Sequence, residues 1–378
     1  MTRTIADFKD TWAKKQKEGS SKGLTGATIG VPEMPRVIST QDPMVDWVLG
    51  GGIPVGHITE ISGDPGTGKT SLAVLAAANA QKEGFHVLFL DFERSFVKDY
   101  FEKLGLSLDE EYLTVLRPLS TEQGKDFLRD WFEAGLDKPL FIIVDSIPAM
   151  VPESEAIKGE QKVGGAAKAN AAFARLVVPN IFQTNSAMVL VNHLRVKIGG
   201  MSSWGGVKKV TAGGDVLKYN TYIQLRLSIR QNFRSEVDGM DGPEKVRLAA
   251  CIKATTTKNK MSRPSKVGYF GILFGLRLWP EYVLTEFGVN MSNILNKAGS
   301  WFKLEEDPEG RWEAESWQGQ AKAMKGLIDH PAIPVIYEEL VNYQEDRISD
   351  ITGVGSKGSS YDNVLLDEDD YVDEILDE

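Results

Sequence analysis

The chain of 378 residues contains a single cysteine, Cys251, and this scarcity excludes an intramolecular disulfide. A lone thiol fits a reducing compartment, and we interpret Cys251 as a small buried side chain in a strand. No apolar run approaches the roughly 20 residues that a membrane-spanning helix needs. The first residues also lack the apolar core of a signal peptide. These absences predict a cytoplasmic protein without a membrane partner.

Cationic side chains are fewer than carboxylates, 43 Lys and Arg against 53 Asp and Glu, which gives a formal net charge of -10, but the excess of carboxylates is local. Residues 361–378 hold nine Asp and Glu and no Lys or Arg, so the rest of the chain is nearly neutral. Two other segments lack carboxylates altogether: residues 194–214, and residues 245–280 with their eight Lys or Arg. We interpret the acidic segment either as a solubility tail or as a competitor of a polyanion for these cationic segments.

Alternating strand and helix patterns run from Val37 to about Phe274 and predict an α/β fold with a mostly parallel sheet. Later apolar segments without helices between them predict antiparallel strands at the end of that sheet. An amphipathic helix at residues 4–17 docks either on its own domain or on a neighbouring subunit. We predict four regions: an N-terminal helix and linker (1–36), a core (37–274), a small α/β C-terminal domain (275–345) and a disordered acidic tail (346–378).

The segment GDPGTGKTS carries the pattern G-x-x-x-x-G-K-[ST] between a predicted strand and a predicted helix. Its glycines let backbone N–H groups turn toward phosphate oxygens, and the helix N-terminus adds a partial positive charge. We predict that Lys69 reaches the β- and γ-phosphates of ATP and that the Thr70 hydroxyl is a ligand of Mg²⁺. The predicted nucleotide-binding residues of this loop are Gly63, Asp64, Pro65, Gly66, Thr67, Gly68, Lys69, Thr70 and Ser71.

Polar residues also follow other predicted strands, at the sheet edge where ligands of α/β proteins bind. Asp145 ends the apolar run LFIIVD, and we predict that it supports Mg²⁺. Glu93 follows the strand HVLFLD, and we favour it over Asp91 as the residue that orients the attacking water. His193 ends the strand MVLVNH; it is either a core histidine or a contact of the γ-phosphate. Tyr100 is either an adenine-stacking residue or a core aromatic.

The carboxylate-free segment after His193 has the composition of a loop that binds single-stranded nucleic acid. Its cationic side chains can contact successive phosphates, and its glycines let the loop backbone adapt to the path of the nucleic-acid strand. An aromatic ring can stack on a base, which contributes about 1–3 kcal/mol. A solvated surface loop is the alternative interpretation. A second glycine-bearing segment, residues 153–168, follows Asp145 and emerges at the same sheet edge.

Taken in order, the motifs GDPGTGKTS, FLDFE, IIVDS, VNHLRVKIGG, GGDVLKY and KNK resemble those of the RecA family of DNA-strand-exchange recombinases. The resemblance runs from about Val37 to His330 and implies a RecA-like P-loop ATPase core. The P-loop alone occurs in many ATPases, whereas the complete set of these motifs in this order is much more specific to the RecA family. It implies an ATP- and Mg²⁺-dependent protein that forms a helical homo-oligomeric filament on single-stranded DNA. It also implies DNA-dependent ATP hydrolysis and strand exchange with double-stranded DNA.

The resemblance implies further site residues. Lys258 and Lys260 of KNK reach the ATP of the neighbouring subunit, on which the N-terminal helix packs too. The small C-terminal domain approaches duplex DNA through Lys322 and Lys325, and the acidic tail restrains DNA access. Two loops, at about residues 155–165 and 194–212, bind DNA. The predicted DNA-binding residues are Lys162, Lys168, Arg195, Lys197, Trp204, Lys208, Lys209, Gly213 and Gly214.

The chain departs from the family pattern at three points. His193 stands where bacterial members usually carry glutamine, Val97 stands where an acidic residue is often found, and the cationic segment is about one residue longer. These departures favour a divergent or bacteriophage member. Two rival functions are compatible with the P-loop: a hexameric helicase with the same ATPase core, and an ATP-switched scaffold without enzymatic activity.

Overall fold

A ten-stranded sheet lies in the first of two compact units, which divide the chain between Pro280 and Glu281. The computed structural model describes residues 33–159, 164–201, 207–211, 214–239 and 242–352. The predicted N-terminal helix at residues 4–17 and residues 353–378 of the predicted disordered tail lie outside these ranges, so both remain predictions. Residues 346–352, predicted as the start of that tail, instead belong to the helix Ala332–Thr352. Among the described residues, none of the helices combines the length and apolar character that crossing a membrane requires.

The strands are β1 (Val37–Ile38), β2 (Ile53–Pro54), β3 (Ile58–Gly63), β4 (His86–Asp91), β5 (Leu113–Leu116), β6 (Leu140–Asp145), β7 (Ala187–Met201), β8 (Val207–Thr211), β9 (Ile223–Gly239), β10 (Gly242–Asn259), β11 (Val267–Leu273), β12 (Arg277–Leu278), β13 (Leu295–Ala298), β14 (Trp301–Leu304) and β15 (Glu315–Gln318). The helices are α1 (Pro43–Leu49), α2 (Lys69–Lys82), α3 (Lys98–Lys103), α4 (Thr121–Glu133), α5 (Glu153–Lys158), α6 (Gly165–Gln183), α7 (Gly214–Asn220), α8 (Pro280–Glu286), α9 (Gln320–Gly326) and α10 (Ala332–Thr352).

The sheet has the order β12-β11-β10-β9-β3-β7-β6-β4-β5, with β8 paired to β7 outside this path. Neighbouring strands from β5 to β9 run parallel, and the pairs from β9 to β12 are antiparallel. The predicted α/β fold with a mostly parallel sheet and antiparallel strands at its end is therefore confirmed.

The main core lies between the parallel strands and the helices α4 and α6. Alternate residues of the strands, such as Leu88, Leu90 and Ile142, are fully buried against Leu128 of α4 and Phe173 of α6. The intervening strand residues are buried as well, and α2 packs against the same strands. Because helices cover both faces of the sheet, the strand residues on both faces are buried, which explains the continuous apolar runs in the sequence.

The segment predicted as a loop after His193 is in part a hairpin, which corrects that expectation. β7 continues to Met201 and pairs antiparallel with β8, beginning with Leu194 opposite Thr211. His193 therefore lies inside β7, although its parallel pairing with β3 ends there, opposite Gly63. The strand VKKVT pairs with residues 194–196 and with Met201, and residues 197–200 (KIGG), whose glycines favour a loop locally, lie at an irregularity of the register between these pairs.

The second unit has its own three-stranded antiparallel sheet, in the order β13-β14-β15. Phe302 and Leu304 of β14 are buried, as are Ile336 and Leu340 of α10. These side chains give the unit an apolar core of its own, which is the usual mark of a domain.

Candidate nucleotide-binding site

The loop between β3 and α2 has a backbone that its glycines make possible. Gly66 and Gly68 have φ angles of 71° and 75°, in the left-handed region that L side chains rarely adopt. A Cβ atom at Gly63 would lie 2.6 Å from the carbonyl oxygen of Leu227. The loop ends where α2 begins at Lys69, so the unpaired N–H groups of the first helical turn face the loop. This backbone suits the binding of phosphate.

Lys69 places a positive charge in this loop at a buried position. Its Nζ atom donates a hydrogen bond to the carbonyl oxygen of Asp64, at 2.9 Å. Burial lowers the pKa of Lys69, and the nearby carboxylates of Asp145 and Glu93 oppose that decrease. A phosphate anion beside Nζ would offset the cost of burying this charge.

Asp145, at the end of β6, and Thr70, in the first turn of α2, form a pair of oxygen ligands. The Thr70 hydroxyl donates to Oδ2 of Asp145 at 2.8 Å, and the Ser95 hydroxyl donates to the same oxygen at 3.0 Å. The other oxygen, Oδ1, is buried without a hydrogen-bond partner. Burial raises the pKa of Asp145, and the hydrogen bond from Thr70 opposes that rise. A buried carboxylate oxygen without a partner fits a nearby cation.

The chemistry of this pair also fits Mg²⁺ in particular. Mg²⁺ in nucleotide sites is usually held by one or two protein oxygens together with phosphates and water. Among the described residues there is no group of three or more His, Cys, Asp or Glu side chains that would hold a metal alone. Thr70 and Asp145 would therefore share Mg²⁺ with a bound nucleotide.

Glu93 lies just after β4 and reaches the end of β7. Its Oε1 atom accepts a hydrogen bond from Nε2 of His193 at 3.0 Å and another from the Ser146 hydroxyl. Its backbone N–H donates to the carbonyl oxygen of Asp145 at 3.1 Å, which fixes the turn to the end of β6. The glutamate is thus held by two neighbouring strands and can act as a proton acceptor for a water molecule beside it.

Asp91 supports this turn and does not cap the following helix. It is fully buried, and its Oδ1 accepts from the backbone N–H of Ser95 at 2.8 Å. Its Oδ2 accepts from Nε of Arg117 at 3.1 Å. α3 begins after Val97 without a side-chain cap. Asp91 therefore orders the turn that carries Glu93.

Tyr100 of α3 borders the P-loop helix. Its hydroxyl forms a hydrogen bond of 2.6 Å with the Ser71 hydroxyl, and burial raises the pKa of Tyr100. Both residues line an open cleft of about 410 Å³ in the first unit. The side chains and loop residues around this cleft are Pro65, Gly66, Gly68, Lys69, Thr70, Ser71, Glu93, Tyr100, Asp145, His193, Arg247, Phe274 and Gly275.

The sequence did not predict four residues of the site: Ser146, which is buried and donates to Glu93, and three residues that line the cleft. Ser146 directly follows Asp145, and its position beside a strand-end carboxylate was the signal that could have identified it. Arg247, Phe274 and Gly275 come from the antiparallel part of the sheet. Their only sequence signal was the carboxylate-free segment 245–280, which does not indicate which cation faces the cleft.

Lys258 and Lys260 do not lie in this cleft. Lys258 pairs with Gln224 near the start of β9, and its Nζ donates to the carbonyl oxygens of Lys218 and Tyr219 at 3.2 and 3.1 Å. Nζ of Lys260 lies 5.5 Å from the centre of the Tyr222 ring. Because β9 runs parallel to β3, both lysines lie at the sheet edge opposite the P-loop.

The predicted DNA-binding residues are distributed over several elements. Lys168 is exposed on α6 and Arg195 is exposed on β7. Lys197 belongs to β7, Lys208 and Lys209 belong to β8, and Gly214 begins α7. Lys162, Trp204 and Gly213 lie outside the described residues. The hairpin thus starts one residue after His193, which lines the cleft.

Comparison with known proteins gives a consistent result. Residues 28–278 match the family model of the RecA N-terminal domain. The chain is 33% identical over 322 residues to the protein named Protein RecA of Clavibacter michiganensis, covering 84% of this chain and 82% of that protein. Protein RecA of Rickettsia massiliae is 32% identical over 335 residues, covering 86% and 90%. For Protein RecA of Streptomyces avermitilis the identity is 33% over 338 residues, covering 87% and 81%.

Proposed function

The chain belongs to the RecA family and is an ATP-dependent recombinase, and from that premise we propose how its residues carry out the reaction. The protein polymerises on single-stranded DNA as a helical filament, pairs that strand with homologous duplex DNA and exchanges the strands. It hydrolyses ATP to ADP and phosphate in a DNA-dependent manner. A cytoplasmic location belongs to the same proposal.

The observation that carries the ATPase part is the contact between Thr70 and Asp145 beside a P-loop. Their hydrogen bond of 2.8 Å joins the first turn of α2 to the end of β6, and Oδ1 of Asp145 is buried without a hydrogen-bond partner. In this proposal Thr70 and Asp145 would hold Mg²⁺, which when bound would supply positive charge beside the phosphates. Lys69 binds the phosphates, and the partly buried Tyr100 stacks on the adenine.

Glu93 and His193 act on the reaction and on its coupling to DNA. Glu93 accepts the proton of the attacking water, because its carboxylate lines the cleft beside Lys69 and Asp145. His193 donates from Nε2 to Glu93, which fixes the orientation of the carboxylate. A phosphate that accepts a hydrogen bond from the His193 side chain in place of Glu93 would move the start of the hairpin at Leu194.

DNA binding is assigned to the hairpin and to the segment after Asp145. Arg195, Lys197, Lys208 and Lys209 provide the phosphate contacts of the hairpin, and Trp204 stacks on a base. Lys162, Lys168, Gly213 and Gly214 complete the predicted set. In the second unit, Lys322 and Lys325 are exposed on α9 and are assigned to duplex DNA.

Filament formation brings Lys258 and Lys260 to the nucleotide of a neighbouring subunit. Their position at the sheet edge opposite the P-loop supports this role, because neither lysine lines the cleft of its own subunit. The N-terminal helix at residues 4–17 packs on the neighbour in the same proposal, and the acidic tail restrains access of duplex DNA.

The test is electron microscopy of the full chain with single-stranded DNA and a slowly hydrolysed ATP analogue. Helical filaments, together with ATPase activity that single-stranded DNA stimulates, are the expected result. Strand exchange between a circular single strand and a homologous linear duplex completes the test. Closed rings that separate strands would establish a hexameric helicase instead. ATP binding without DNA-stimulated hydrolysis would leave a switched scaffold.

A further inference from the structure

Arg247 lies in the nucleotide cleft although it is remote in sequence from the P-loop. It comes from β10, on the antiparallel side of the sheet, and lines the cleft together with Phe274 and Gly275. Among the residues that line this cleft, the positively charged side chains are Lys69 and Arg247. Lys69 is assigned to the phosphates, so the role of the second cation is open.

A β-bulge places Arg247 at this position. Arg247 is opposite Arg234 of β9, whereas Ala249 is opposite Phe233, so Leu248 is an extra residue in β10. Bulges change the direction of the side chains beside them and are frequent next to active sites. Leu248 is half exposed, so burial of its apolar side chain does not account for the bulge.

The guanidinium of Arg247 packs against the P-loop itself. A Cβ atom at Gly66 would lie 2.3 Å from Nη2 of Arg247, so the arginine occupies the space that a side chain at residue 66 would need. Gly66 is one of the residues predicted to contact phosphates. The guanidinium therefore lies within reach of a group bound to this part of the loop.

The other contacts of Arg247 are weak enough to be exchanged. Its guanidinium carbon lies 4.5 Å from the centre of the Phe274 ring, and Nη1 donates to Oδ1 of Asn232 at 3.3 Å. Neither partner carries a charge. A guanidinium forms stronger, bidentate hydrogen bonds with phosphate oxygens, so a bound phosphate competes well with both partners.

We propose that Arg247 is a phosphate-binding residue of its own subunit's nucleotide site and that it favours nucleoside triphosphates over diphosphates. This role rests on the proposed function of the cleft. A triphosphate carries one more charged phosphate group than a diphosphate, and Arg247 supplies a second positive charge beside Lys69. In this arrangement Arg247 discriminates between substrate and product without help from the neighbouring subunit.

The experiment is calorimetric titration of the full-length protein with Mg²⁺ and either ATPγS or ADP. Arg247→Gln should weaken ATPγS binding about tenfold or more, as expected for loss of a charged hydrogen bond, and ADP binding much less. Arg247→Lys keeps the charge and should recover part of the ATPγS affinity. The matched control is Arg230→Gln, because Arg230 is exposed, lies 5.1 Å from the Tyr269 ring centre and does not line the cleft; this variant should bind both nucleotides like wild type.

The possible outcomes distinguish an error in the proposed function of the cleft from an error in the proposed role of Arg247. If wild type binds neither nucleotide, the proposed function of the cleft is wrong. If wild type binds both and Arg247→Gln keeps the wild-type ratio of the two affinities, the role of Arg247 is wrong. An equal loss for both nucleotides, with a lower melting temperature, would identify Arg247 as a structural brace and would also overturn the proposal. If Arg247→Gln does not fold, the same ratio measured with Arg247→Lys decides, since loss of bidentate binding should still reduce the preference for ATPγS.

Discussion

Nε2 of His193 lies 3.0 Å from Oε1 of Glu93, and this contact joins the turn after β4 to the point where β7 leaves the parallel sheet. One residue later, Leu194 begins the pairing with β8. The residue assigned to the attacking water is therefore in direct contact with the strand that continues into the hairpin.

The first prediction concerns His193→Ala, which removes this contact. ATP should tighten DNA binding in wild type, and DNA should tighten ATP binding by the same factor, because coupling free energies of about 1–3 kcal/mol are reciprocal. The variant should keep its affinity for each ligand alone while this factor shrinks toward one. The measurement is DNA affinity with and without a slowly hydrolysed ATP analogue. His193→Gln, which can still donate to Glu93, is the control and should keep most of the coupling. Full coupling in His193→Ala would make His193 a core histidine.

A second prediction concerns Glu93→Gln. This substitution keeps the size of the side chain and its ability to accept from His193, but it removes the basic carboxylate. ATP binding should persist, whereas turnover should fall by about a hundredfold or more, since a positioned general base typically contributes that much. Filaments formed with ATP should then persist in electron micrographs. Glu102→Gln, at an exposed position of α3, is the control and should hydrolyse ATP normally. Normal turnover in Glu93→Gln would assign the water to another residue.

The third prediction tests whether Lys258 and Lys260 act across the subunit interface. A Lys258→Ala/Lys260→Ala subunit and a Lys69→Ala subunit should each be inactive alone. In a mixed filament, some interfaces bring an intact P-loop to intact lysines, so part of the DNA-stimulated ATPase activity should return. The measurement is ATPase rate against mixing ratio, with mixing confirmed by differently labelled subunits. Mixed filaments without any recovery would exclude a role in trans.

A fourth prediction concerns the cations of the hairpin. Lys208→Ala combined with Lys209→Ala should weaken single-strand binding, and the slope of log affinity against log salt should fall by about 1.4, at roughly 0.7 per phosphate contact. Lys82→Ala with Lys138→Ala removes the same charge from two exposed positions, at the end of α2 and before β6. That control should leave the slope unchanged. An equal slope in wild type and in the hairpin variant would show that neither lysine contacts DNA phosphates.

The fifth prediction concerns stability rather than activity. Asp42 caps α1 through Oδ1, which accepts from the backbone N–H groups of Met44 and Val45 at 3.0 Å each. Burial raises the pKa of Asp42 from its ordinary value of 3.8 to about 7. The folded protein therefore binds this proton more tightly than the unfolded chain. The contribution to stability is complete below pH 3.8 and is lost as the pH rises to about 7.

Asp42→Asn keeps an acceptor at the cap and removes the ionisation. Its melting temperature relative to wild type should therefore increase between pH 5 and pH 8. Asp99→Asn, in the exposed first turn of α3, should show no such trend. A constant difference between Asp42→Asn and wild type across this range would mean that the carboxyl of Asp42 titrates normally.

The cleft residues at or near the carboxyl ends of parallel strands could be predicted from the sequence. Asp145 and His193 end apolar runs in the sequence and Glu93 closely follows one, and parallel strands bring their carboxyl ends to one edge of a sheet. The structure places all three beside the P-loop. The P-loop was also predictable, because its spacing and its glycines are a local signal that depends on no distant part of the chain.

Features that depend on pairing between distant strands were not predictable. β7 extends past His193 because β8 is available as a partner, and glycines in the segment suggested a loop instead. Arg247 reaches the cleft through a bulge whose position depends on the register between β9 and β10. Neither the pairing partner of a strand nor a one-residue change in register can be recognised from the local sequence pattern.

Because β7 changes its pairing partner after His193, an insertion should have different consequences before and after this residue. Up to Leu190 the strand is held between β3 and β6, and its pairing with β3 continues to His193. One inserted residue in this part would turn its side chains to the opposite faces of the sheet and move His193 out of the cleft. Beyond Leu194 the strand pairs with β8, and residues added in matching numbers to both arms would lengthen the hairpin and leave the cleft intact. Natural variation in length should therefore accumulate at the far end of the hairpin, where it would leave the nucleotide cleft unchanged.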